Sequence, residues 1–288
     1  MPSLAEQRKT FKTLLAAPEI VLAPGAVDPL TARLIQAAGF PAIHASGSMA
    51  HRTSGYADAG ILTMNEMADK IMAMSDAVEI PIIGDGDTGF GNVVNVIRTI
   101  KNYERAGAAA IHIEDQVTPK RPTHQGIEAG VISITEMTNK IKAALDARTD
   151  ENFVIIARCE VKGEPQEIID RLATYLEAGA DAAWISGGNE EGVRALRKAA
   201  GAKPLIGVLP RTGTAKQFQD WGASGAVLPG ILEIAGLHAQ RELLEEVKRT
   251  GTSADYFARI KGIEQDQQFF NRQGNAELEE ITKRFGAV

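Results

Sequence analysis

The sequence contains a single cysteine, Cys159, and no block of basic residues among its 288 positions. One cysteine excludes an intrachain disulfide and a zinc site built from several thiolates. A net charge of −6 without a basic cluster argues against nucleic acid as a main partner. No apolar run approaches the roughly 18 residues that a membrane span needs, so we expect no membrane partner.

The first residues of the sequence lack the apolar core of a secretory signal, because residues 1–9 are mostly polar or charged. We therefore expect a cytoplasmic enzyme. The apolar fraction of 44% and the charged fraction of 24% are ordinary for a globular protein. A chain of this length can form one large domain of the size that α/β barrels have.

The sequence does contain a weak internal repeat, in which the end of a helix is followed by glycine, small residues and a short apolar run. The glycines of its four copies are Gly39, Gly107, Gly179 and Gly222. Glycine at such a point can take the left-handed conformation that ends a helix. The apolar run after it is typical of a strand buried on both faces of a parallel sheet.

Further apolar runs bring the count of predicted strands to eight. Besides the runs that follow the four glycines, they are residues 20–22, 81–83, 153–157 and 204–208. Helical periodicity lies between the strands, for example over residues 93–103. Eight alternating units predict an α/β fold, specifically a (β/α)8 TIM barrel rather than an open doubly wound sheet.

The two ends of the sequence lie outside the repeat. Residues 4–17 predict an opening helix, and residues 254–288 carry apolar side chains spaced as in amphipathic helices. No linker rich in proline, glycine or serine separates these ends from the barrel. We therefore predict a single domain over residues 1–288, with residues 254–288 as a helical C-terminal extension.

In such a barrel, chemistry takes place where the strands end and the following loops begin. The side chains predicted at those positions include hydroxyl groups, carboxylates, a thiol and guanidinium groups. They are Ser46, Gly47 and Ser48 after strand 2, Asp85 and Asp87 after strand 3, Glu114 and Asp115 after strand 4, Arg158, Cys159 and Glu160 after strand 5, Ser186 after strand 6, and Arg211 after strand 7.

The acids after strands 3 and 4 predict a carboxylate cluster formed by Asp85, Asp87, Glu114 and Asp115. Carboxylates that converge in a closed site repel one another, and a hard cation such as Mg²⁺ relieves this with few protein oxygens and several waters. The glycines around Asp85 would let the backbone approach a ligand closely. The alternative is that these acids cap helices or pair with a lysine, and the residues alone leave both open.

Arg158 directly follows a buried strand and suits bidentate binding of a carboxylate. The alternative is an ion pair at the barrel rim with one of the acids. The long loop of residues 116–130 carries Lys120, Arg121 and His124. This content fits a lid that handles an anion or moves a proton, or else a solvated surface loop.

Three further residues are more typical of structure than of chemistry. His44 and His112 lie inside apolar strand runs, as core or rim histidines do. Cys159 has no partner nearby in the sequence, so we expect a small buried residue rather than a nucleophile, although Arg158 could lower its pKa.

Two longer motifs are residues 84–92 (GDGDTGFGN) and residues 110–116 (AIHIEDQ), and residues 45–47, 58–61 and 155–158 add shorter matches. With these motifs the sequence resembles the isocitrate lyase / phosphoenolpyruvate mutase superfamily over most of its length. The similarity is strongest to the shorter members. These are 2-methylisocitrate lyases, 2,3-dimethylmalate lyases, oxaloacetate decarboxylases and proteins known as carboxyvinyl-carboxyphosphonate phosphorylmutase.

The resemblance implies that Mg²⁺, or Mn²⁺ as a substitute, binds through Asp85, while Asp87 and Glu114 hold metal waters and Asp58 lies nearby. It implies that Ser46, Gly47 and Arg158 bind a substrate carboxylate. It also implies a barrel whose eighth helix is swapped between subunits of a dimer of dimers. The shared chemistry is cleavage next to a 2-oxo carboxylate, in which the cation stabilises an enolate.

The sequence also departs from the family pattern. Pro122 stands where the cleaving lyases carry the lid cysteine that moves a proton, and Cys159-Glu160 stands where Thr-Asp is usual. Ser186 replaces a glutamate, Val208 replaces an asparagine, and the mutase signature of the lid is missing. These departures disfavour methylisocitrate cleavage, phosphoenolpyruvate mutation and phosphonopyruvate hydrolysis.

Our preferred hypothesis is a Mg²⁺-dependent lyase that decarboxylates an oxaloacetate-type 2-oxo acid, because water can protonate the resulting enolate. The oxaloacetate decarboxylases of this superfamily also lack the lid cysteine. The catalytic candidates are Arg158, Glu160 and His124. The substrate-binding candidates are Ser46, Gly47, Asp58, Arg158 and Ser186.

Two alternatives to decarboxylation stay open. One is aldol-type cleavage of a substituted malate or isocitrate, in which another group replaces the missing acid. The other is a barrel that binds a carboxylate–metal complex without turning it over.

Overall fold

The computed structural model describes residues 2–122, 127, 130–186 and 189–286, without the side chains of residues 276 and 277. Parallel strands form a closed barrel in the order β1 to β8. They are β1 Val21–Ala26, β2 Ile43–Ala45, β3 Ile82–Asp85, β4 Ala110–Glu114, β5 Val154–Arg158, β6 Ala182–Ile185, β7 Leu205–Val208 and β8 Gly225–Leu228. Each strand overlaps an apolar run counted in the sequence, so the predicted TIM barrel is confirmed.

Helices connect the strands and follow the last of them. In the described residues they are α1 Leu4–Ala16, α2 Pro29–Ala37, α3 Gly47–Thr53, α4 Met64–Ser75, α5 Val93–Arg105, α6 Ile134–Ala147, α7 Pro165–Glu177, α8 Glu190–Ala200, α9 Ala215–Trp221, α10 Ile231–Thr250, α11 Ala254–Arg259, α12 Ile263–Asn271 and α13 Asn275–Phe285. The predicted opening helix is confirmed as α1.

Local sequence explains where the helices begin and end. Ser3 begins α1 with a capping box, in which its side chain and that of Glu6 each bond the other's backbone N–H. The four glycines of the sequence repeat have φ values of 85°, 92°, 115° and 112° in chain order. Because a residue with a side chain strongly disfavours positive φ, these glycines end their helices as predicted.

The barrel interior is filled by side chains such as Val21 of β1, Ile83 of β3 and Trp184 of β6. Phe11 and Leu15 of α1 pack into the same cluster beside Val21, the first residue of its strand. Helix α1 therefore closes the barrel end at which the strands begin. The opposite end is left to the loops that follow the strands. A second apolar layer lies between the strands and the surrounding helices.

The chain forms two compact units, residues 1–232 and residues 233–288. The first contains the whole barrel. The second contains most of α10 together with α11, α12 and α13, which confirms a helical C-terminal extension. Its predicted start at residue 254 and the swapping of a helix between subunits stay predictions. Within the described residues, no helix combines the length and apolarity needed to cross a membrane.

The strand register determines which polar residues become neighbours at the open end. Asp85 at the end of β3 pairs with His112 of β4, and Glu114 at the end of β4 pairs with Arg158 of β5. Three adjacent strands therefore deliver two acids, a histidine and an arginine to one region.

Candidate active site

The loop after β3 carries Asp85 and Asp87 and is hydrogen-bonded to β4. The N–H of Asp87 donates to Asp85 Oδ1 at 3.1 Å, and the carbonyl of Asp87 accepts from the N–H of Glu114 at 2.8 Å. Asp87 has a φ of 45°, a left-handed conformation that aspartate adopts more readily than most residues. The predicted metal residues Asp85, Asp87 and Glu114 therefore come to the same end of the barrel.

Gly86 allows this loop to lie directly against β4. Its N–H donates to the carbonyl of His112 at 2.9 Å, and a Cβ at this position would lie 2.8 Å from that same oxygen. We expected glycine here to bring the backbone close to a ligand. The close neighbour of Gly86 is instead another strand of the protein.

Asp85 is buried, at 4% exposure, and bonded on both carboxylate oxygens. Besides the bond from Asp87, Oδ2 accepts the N–H of Gly47 at 3.0 Å, and the backbone carbonyl of Asp85 accepts the hydroxyl of Tyr103 at 2.8 Å. Burial would raise the pKa of Asp85, but nearby positive charges, those of Lys120 and Arg158 among them, outweigh burial and hold the pKa well below its usual range. Asp85 is therefore an anion with lone pairs to spare.

Lys120 of the long loop lies between two buried acids. Its Nζ is 2.8 Å from Asp58 Oδ1 and 2.5 Å from Asp87 Oδ1. Burial would lower the pKa of Lys120, but Asp87, Asp85 and the other acids more than offset this and raise it. From the sequence, Lys120 was named as a cation of a possible lid but not as a metal, substrate-binding or catalytic candidate. Its place in a long loop directly after the strand that carries Glu114 was the signal that could have put it beside the acids.

Within the described residues, Glu114 and Asp87 have carboxylate oxygens that accept no hydrogen bond. Glu114 is 1% exposed, and burial raises its pKa to about 8 although Arg158 and Lys120 oppose the shift. Burial raises the pKa of Asp87 as well, against Lys120. In the described part of the chain, neither Asp87 Oδ2 nor Glu114 Oε1 has a hydrogen-bond partner. Buried oxygens without donors indicate a ligand or ordered water.

Carboxylates outnumber cations in this region. The acids are Asp58, Asp85, Asp87, Glu114 and Glu160, and the cations paired with them are Lys120 and Arg158. A hard divalent cation fits this oxygen-rich, electronegative region, because Mg²⁺ prefers oxygen ligands and keeps several waters. Asp85 offers a direct ligand, and the unsatisfied oxygens of Asp87 and Glu114 offer acceptors for metal waters.

Two buried histidines also lie close to Asp85. Among the described residues, His44, Asp85 and His112 offer ligand atoms within 4.8 Å of one another, whereas the three predicted carboxylates form no group as tight. The two Nε2 atoms are 3.1 Å apart, which is a hydrogen bond between the rings. Imidazole nitrogens suit zinc-like ions more than Mg²⁺. The carboxylate oxygens therefore fit Mg²⁺ better than the two imidazole nitrogens do.

Arg158 is shared between two carboxylates. Its Nη1 lies 3.3 Å from Glu114 Oε2, and its Nε and Nη2 each lie 2.6 Å from Glu160 Oε1. The ion pair that the sequence left open as an alternative for Arg158 is therefore present. A guanidinium has five N–H groups, so an N–H on each of Nη1 and Nη2 remains beyond these contacts.

Glu160 also reaches Ser186 at the end of β6. The Ser186 hydroxyl donates to Glu160 Oε1 at 2.9 Å. Ser186 is the position at which the family pattern has a glutamate. The loop after β5 therefore places the carboxylate of Glu160 beside the end of β6, where Ser186 stands instead of the family's glutamate.

The sequence predicts Asp115 in the carboxylate cluster, but in the structure Asp115 instead holds the backbone of Glu160. Its Oδ1 accepts the backbone N–H of Glu160 at 2.7 Å, and its Oδ2 accepts the hydroxyl of Tyr175 at 2.8 Å. With these partners Asp115 is 0% exposed. It is a structural acid, because its two oxygens are already bonded within the protein.

The sequence also singled out Ser46, Cys159, His124 and Pro122. Ser46 is buried and caps α3 by accepting the N–H of Met49 at 3.4 Å. Cys159 is buried, and burial raises the pKa of its thiol, as expected for a structural residue. His124 lies outside the described residues. Pro122, at the position of the lid cysteine, is buried.

Residues 11–248 match the model of the phosphoenolpyruvate phosphomutase family. The chain belongs to this family. The resemblance to the isocitrate lyase / phosphoenolpyruvate mutase superfamily is therefore confirmed.

Curated relatives of the chain are lyases. Over 188 residues it is 43% identical to the 2,3-dimethylmalate lyase of Eubacterium barkeri, covering 63% of this chain and 64% of that protein, so the match spans less than two thirds of that relative. Over 264 residues it is 33% identical to the probable 2-methylisocitrate lyase 2 of Corynebacterium glutamicum, covering 89% of this chain and 85% of that protein. The prediction of a lyase-class enzyme is confirmed by these relatives.

Solved structures share the fold over nearly the whole chain. An oxaloacetate acetylhydrolase in complex with 3,3-difluorooxalacetate superposes with a TM-score of 0.88 at 26% identity, covering 99% of this chain and 98% of that one. A phosphonopyruvate hydrolase in complex with oxalate and Mg²⁺ superposes with a TM-score of 0.85 at 30% identity, covering 98% and 99%.

Proposed function

We propose that this chain is a Mg²⁺-dependent lyase that cleaves a carbon–carbon bond of a small 2-oxo or 2-hydroxy carboxylate. Its preferred reaction is decarboxylation of an oxaloacetate-type acid. The observation that carries this proposal is a set of buried carboxylate oxygens near Asp85, with Arg158 beside them, that have no hydrogen-bond donor among the described residues. The oxalate–Mg²⁺ complex of one structural relative and the oxaloacetate analogue bound to another support the metal and the substrate class.

Asp85 would hold the cation directly, and Asp87 and Glu114 would hold its waters; Mn²⁺ would serve as a substitute. When bound, Mg²⁺ supplies a Lewis acid that takes up the negative charge developing on the oxo oxygen as the bond breaks. The charged groups around Asp85 keep it ionised for this role, and two backbone N–H groups hold its carboxylate in position. Lys120 forms ion pairs with Asp58 and Asp87 beside it.

Arg158 would bind a substrate carboxylate through the N–H groups that do not contact Glu114 or Glu160. Its position is held from both sides by these two acids. Glu160 is itself bonded to Ser186 and to Asp115. We propose that Glu160 and Ser186 together replace the glutamate that the family pattern has after strand 6. The carboxylate of Glu160 then supplies the negative charge at this place next to the substrate.

The reaction we propose requires no thiol. Loss of CO2 from an oxaloacetate-type acid leaves the bonding electrons of the broken C–C bond in an enolate. Water then protonates the enolate carbon and gives the 2-oxo monoacid. Pro122 at the position of the lid cysteine is compatible with this reaction, because no strong acid is needed when the bond breaks.

Aldol-type cleavage of a substituted malate or isocitrate is the second candidate. It is favoured by the dimethylmalate and methylisocitrate lyases among the relatives. This reaction needs a group that accepts or delivers a proton in place of the lid thiol. The candidates for this group are Glu160, which lies beside Arg158 and Ser186, and His124 from the sequence.

Product analysis distinguishes these possibilities. The protein is incubated with Mg²⁺ and a panel of oxaloacetate, substituted malates and isocitrates, and the products are identified by NMR and mass spectrometry. Controls contain EDTA, free Mg²⁺ without protein, or the Asp85→Ala variant. We expect pyruvate and CO2 from oxaloacetate at a rate well above that of free Mg²⁺.

Each other outcome overturns a defined part of the proposal. A rate no faster than free Mg²⁺ rules out the decarboxylase. Acetate with oxalate indicates hydrolysis, and glyoxylate or pyruvate from the substituted acids indicates aldol-type cleavage. Calorimetric binding of these acids without any turnover would make the chain a carboxylate-binding homologue.

We also propose that the chain forms a homo-oligomer, with a dimer of dimers as the expected form. Large apolar side chains of the second unit support this, since Leu244, Phe270, Leu278 and Phe285 are all more than 60% exposed. Light scattering tests the proposal, and a monomer at micromolar concentration would contradict it. A cytoplasmic location stays a prediction.

A further inference from the structure

Two buried histidines connect the barrel interior to Asp85. His44 of β2 and His112 of β4 are 3% and 0% exposed, and their Nε2 atoms are 3.1 Å apart. His112 Nδ1 faces Asp85, at 3.6 Å from Oδ1. Trp184 packs against His112 with ring centres 4.3 Å apart and also lies against His44, so both rings are fixed in place.

A contact of 3.1 Å between two ring nitrogens requires one proton between them. Both rings are buried in the barrel interior against Trp184, and such surroundings favour the neutral imidazole over the charged one. A neutral imidazole carries its single N–H on one of its two nitrogens. Two arrangements remain, because either His44 or His112 donates from Nε2.

The charge of Asp85 distinguishes the two arrangements. If His44 donates, the proton of His112 is on Nδ1 and faces the Asp85 carboxylate. If His112 donates, its Nδ1 is bare, and a lone pair faces an anion at 3.6 Å. The carboxylate attracts an N–H and repels a lone pair, and low dielectric inside the barrel strengthens both effects.

We infer that His44 and His112 form a hydrogen-bonded pair that positions Asp85: His44 Nε2–H donates to His112 Nε2, and His112 Nδ1–H faces Asp85 Oδ1. The functional consequence rests on the proposed metal site. Together with the N–H groups of Gly47 and Asp87, the pair surrounds the Asp85 carboxylate with donors and leaves its remaining lone pairs for the cation. Neighbours of this kind commonly set how tightly a metal ligand binds.

Nitrogen-15 NMR tests the tautomers directly. The protein is labelled at histidine and measured without metal by magic-angle-spinning NMR, in which the nitrogen shifts report which ring nitrogen carries the proton. The variants His44→Gln and His112→Asn each remove one set of signals and so assign them. We expect His44 protonated at Nε2 and His112 at Nδ1. The reverse assignment, or a charged ring at neutral pH, overturns the inference, whatever the protein catalyses.

Mn²⁺ affinity tests the consequence, with binding followed by electron paramagnetic resonance of the free ion. His44→Phe keeps an aromatic ring but removes the donor, and we expect it to weaken binding about tenfold. His44→Gln keeps an N–H near the same place and should stay within about threefold of the wild type.

His238→Gln on the exposed face of α10 is the matched control and should bind Mn²⁺ as the wild type does. Wild-type affinity in His44→Phe would show that the pair does not position Asp85. Absence of Mn²⁺ binding in the wild type would instead refute the proposed metal site. In that case the NMR result alone would decide whether the hydrogen-bonded pair exists.

Discussion

The backbone N–H of Gly47 donates a 3.0 Å hydrogen bond to Oδ2 of Asp85, a residue 38 positions later in the chain. The space between them is too small for a side chain, because a Cβ at position 47 would lie 2.6 Å from Oδ2 and 2.8 Å from the carboxyl carbon. The orientation of the central acid therefore depends on a glycine at the start of α3.

The first prediction concerns this contact. Gly47→Ala should displace the Asp85 carboxylate and weaken Mn²⁺ binding by about tenfold or more, as the loss of a ligand's supporting contact does. Thermal melting with EDTA checks that the fold is kept. Gly192→Ala in α8 is the control, because the nearest atom to its Cβ would be 3.5 Å away. Wild-type affinity in Gly47→Ala would show that Asp85 tolerates the displacement.

The second prediction concerns Lys120, whose ammonium lies between Asp58 and Asp87. Lys120→Met leaves two buried carboxylates without their cation and should lower the free energy of unfolding by about 3 kcal/mol in EDTA. Mg²⁺ should restore part of the loss, because it replaces the missing positive charge. Urea denaturation measures both effects.

The control for Lys120 is Lys216→Met, which removes an exposed ion pair with Asp220. It should change the free energy of unfolding by less than about 0.5 kcal/mol. Equal stability of Lys120→Met and the wild type in EDTA would contradict the placement of Lys120 between the acids.

The third prediction is a pH dependence set by Glu114. Its pKa is raised to about 8 in the folded protein, so between its ordinary value and about 8 the folded state holds a proton that the unfolded state has released. The metal-free protein should therefore lose stability as pH rises through this range. The gain in melting temperature on adding Mg²⁺ should be small near about pH 6 and larger near about pH 9, because the ionised carboxylate favours the cation.

Glu114→Gln provides the comparison for this prediction. The variant cannot titrate at this position, so the difference between it and the wild type isolates the contribution of Glu114. A Mg²⁺-induced gain that falls with rising pH in the wild type would contradict the buried, protonated state of Glu114.

The fourth prediction concerns Cys159, which could have been a nucleophile from its place beside Arg158. Burial raises the pKa of the thiol, with Asp115 adding to the shift. We expect no reaction with iodoacetamide in the folded protein, full reaction after unfolding, and near wild-type turnover in Cys159→Ala. Rapid alkylation of the folded protein accompanied by loss of activity would give the thiol a role that its burial argues against.

The fold could be predicted because its signals are local and repeated. A strand buried on both faces is a short apolar run, and in four of the eight units the helix before it ends at a glycine, so the strands can be counted along the chain. Asp85, Asp87 and Glu114 could be brought together for the same reason, since the carboxyl ends of neighbouring barrel strands meet at one end.

The contacts that tune the site could not be predicted, because they depend on distances across the barrel. The pairing of Asp85 with His112 follows from strand register, which the sequence pattern leaves open. Lys120 reaches Asp58 from a loop of unpredicted shape, and Glu160 meets Ser186 while its backbone N–H donates to Asp115. Asp115 is adjacent to Glu114 in the sequence, but its oxygens accept hydrogen bonds from Glu160 and Tyr175. These partners also depend on distances across the barrel and could not be predicted.

The proposed metal site is tested by Mn²⁺ binding to the wild type and to Asp85→Ala. We expect a bound ion in the wild type that Mg²⁺ displaces, and no specific binding in Asp85→Ala, together with loss of carbon–carbon cleavage. Asp170→Ala on the exposed side of α7 serves as the control and should bind Mn²⁺ normally. Wild-type Mn²⁺ affinity in Asp85→Ala, or unchanged turnover in that variant, would contradict a metal-dependent site centred on Asp85.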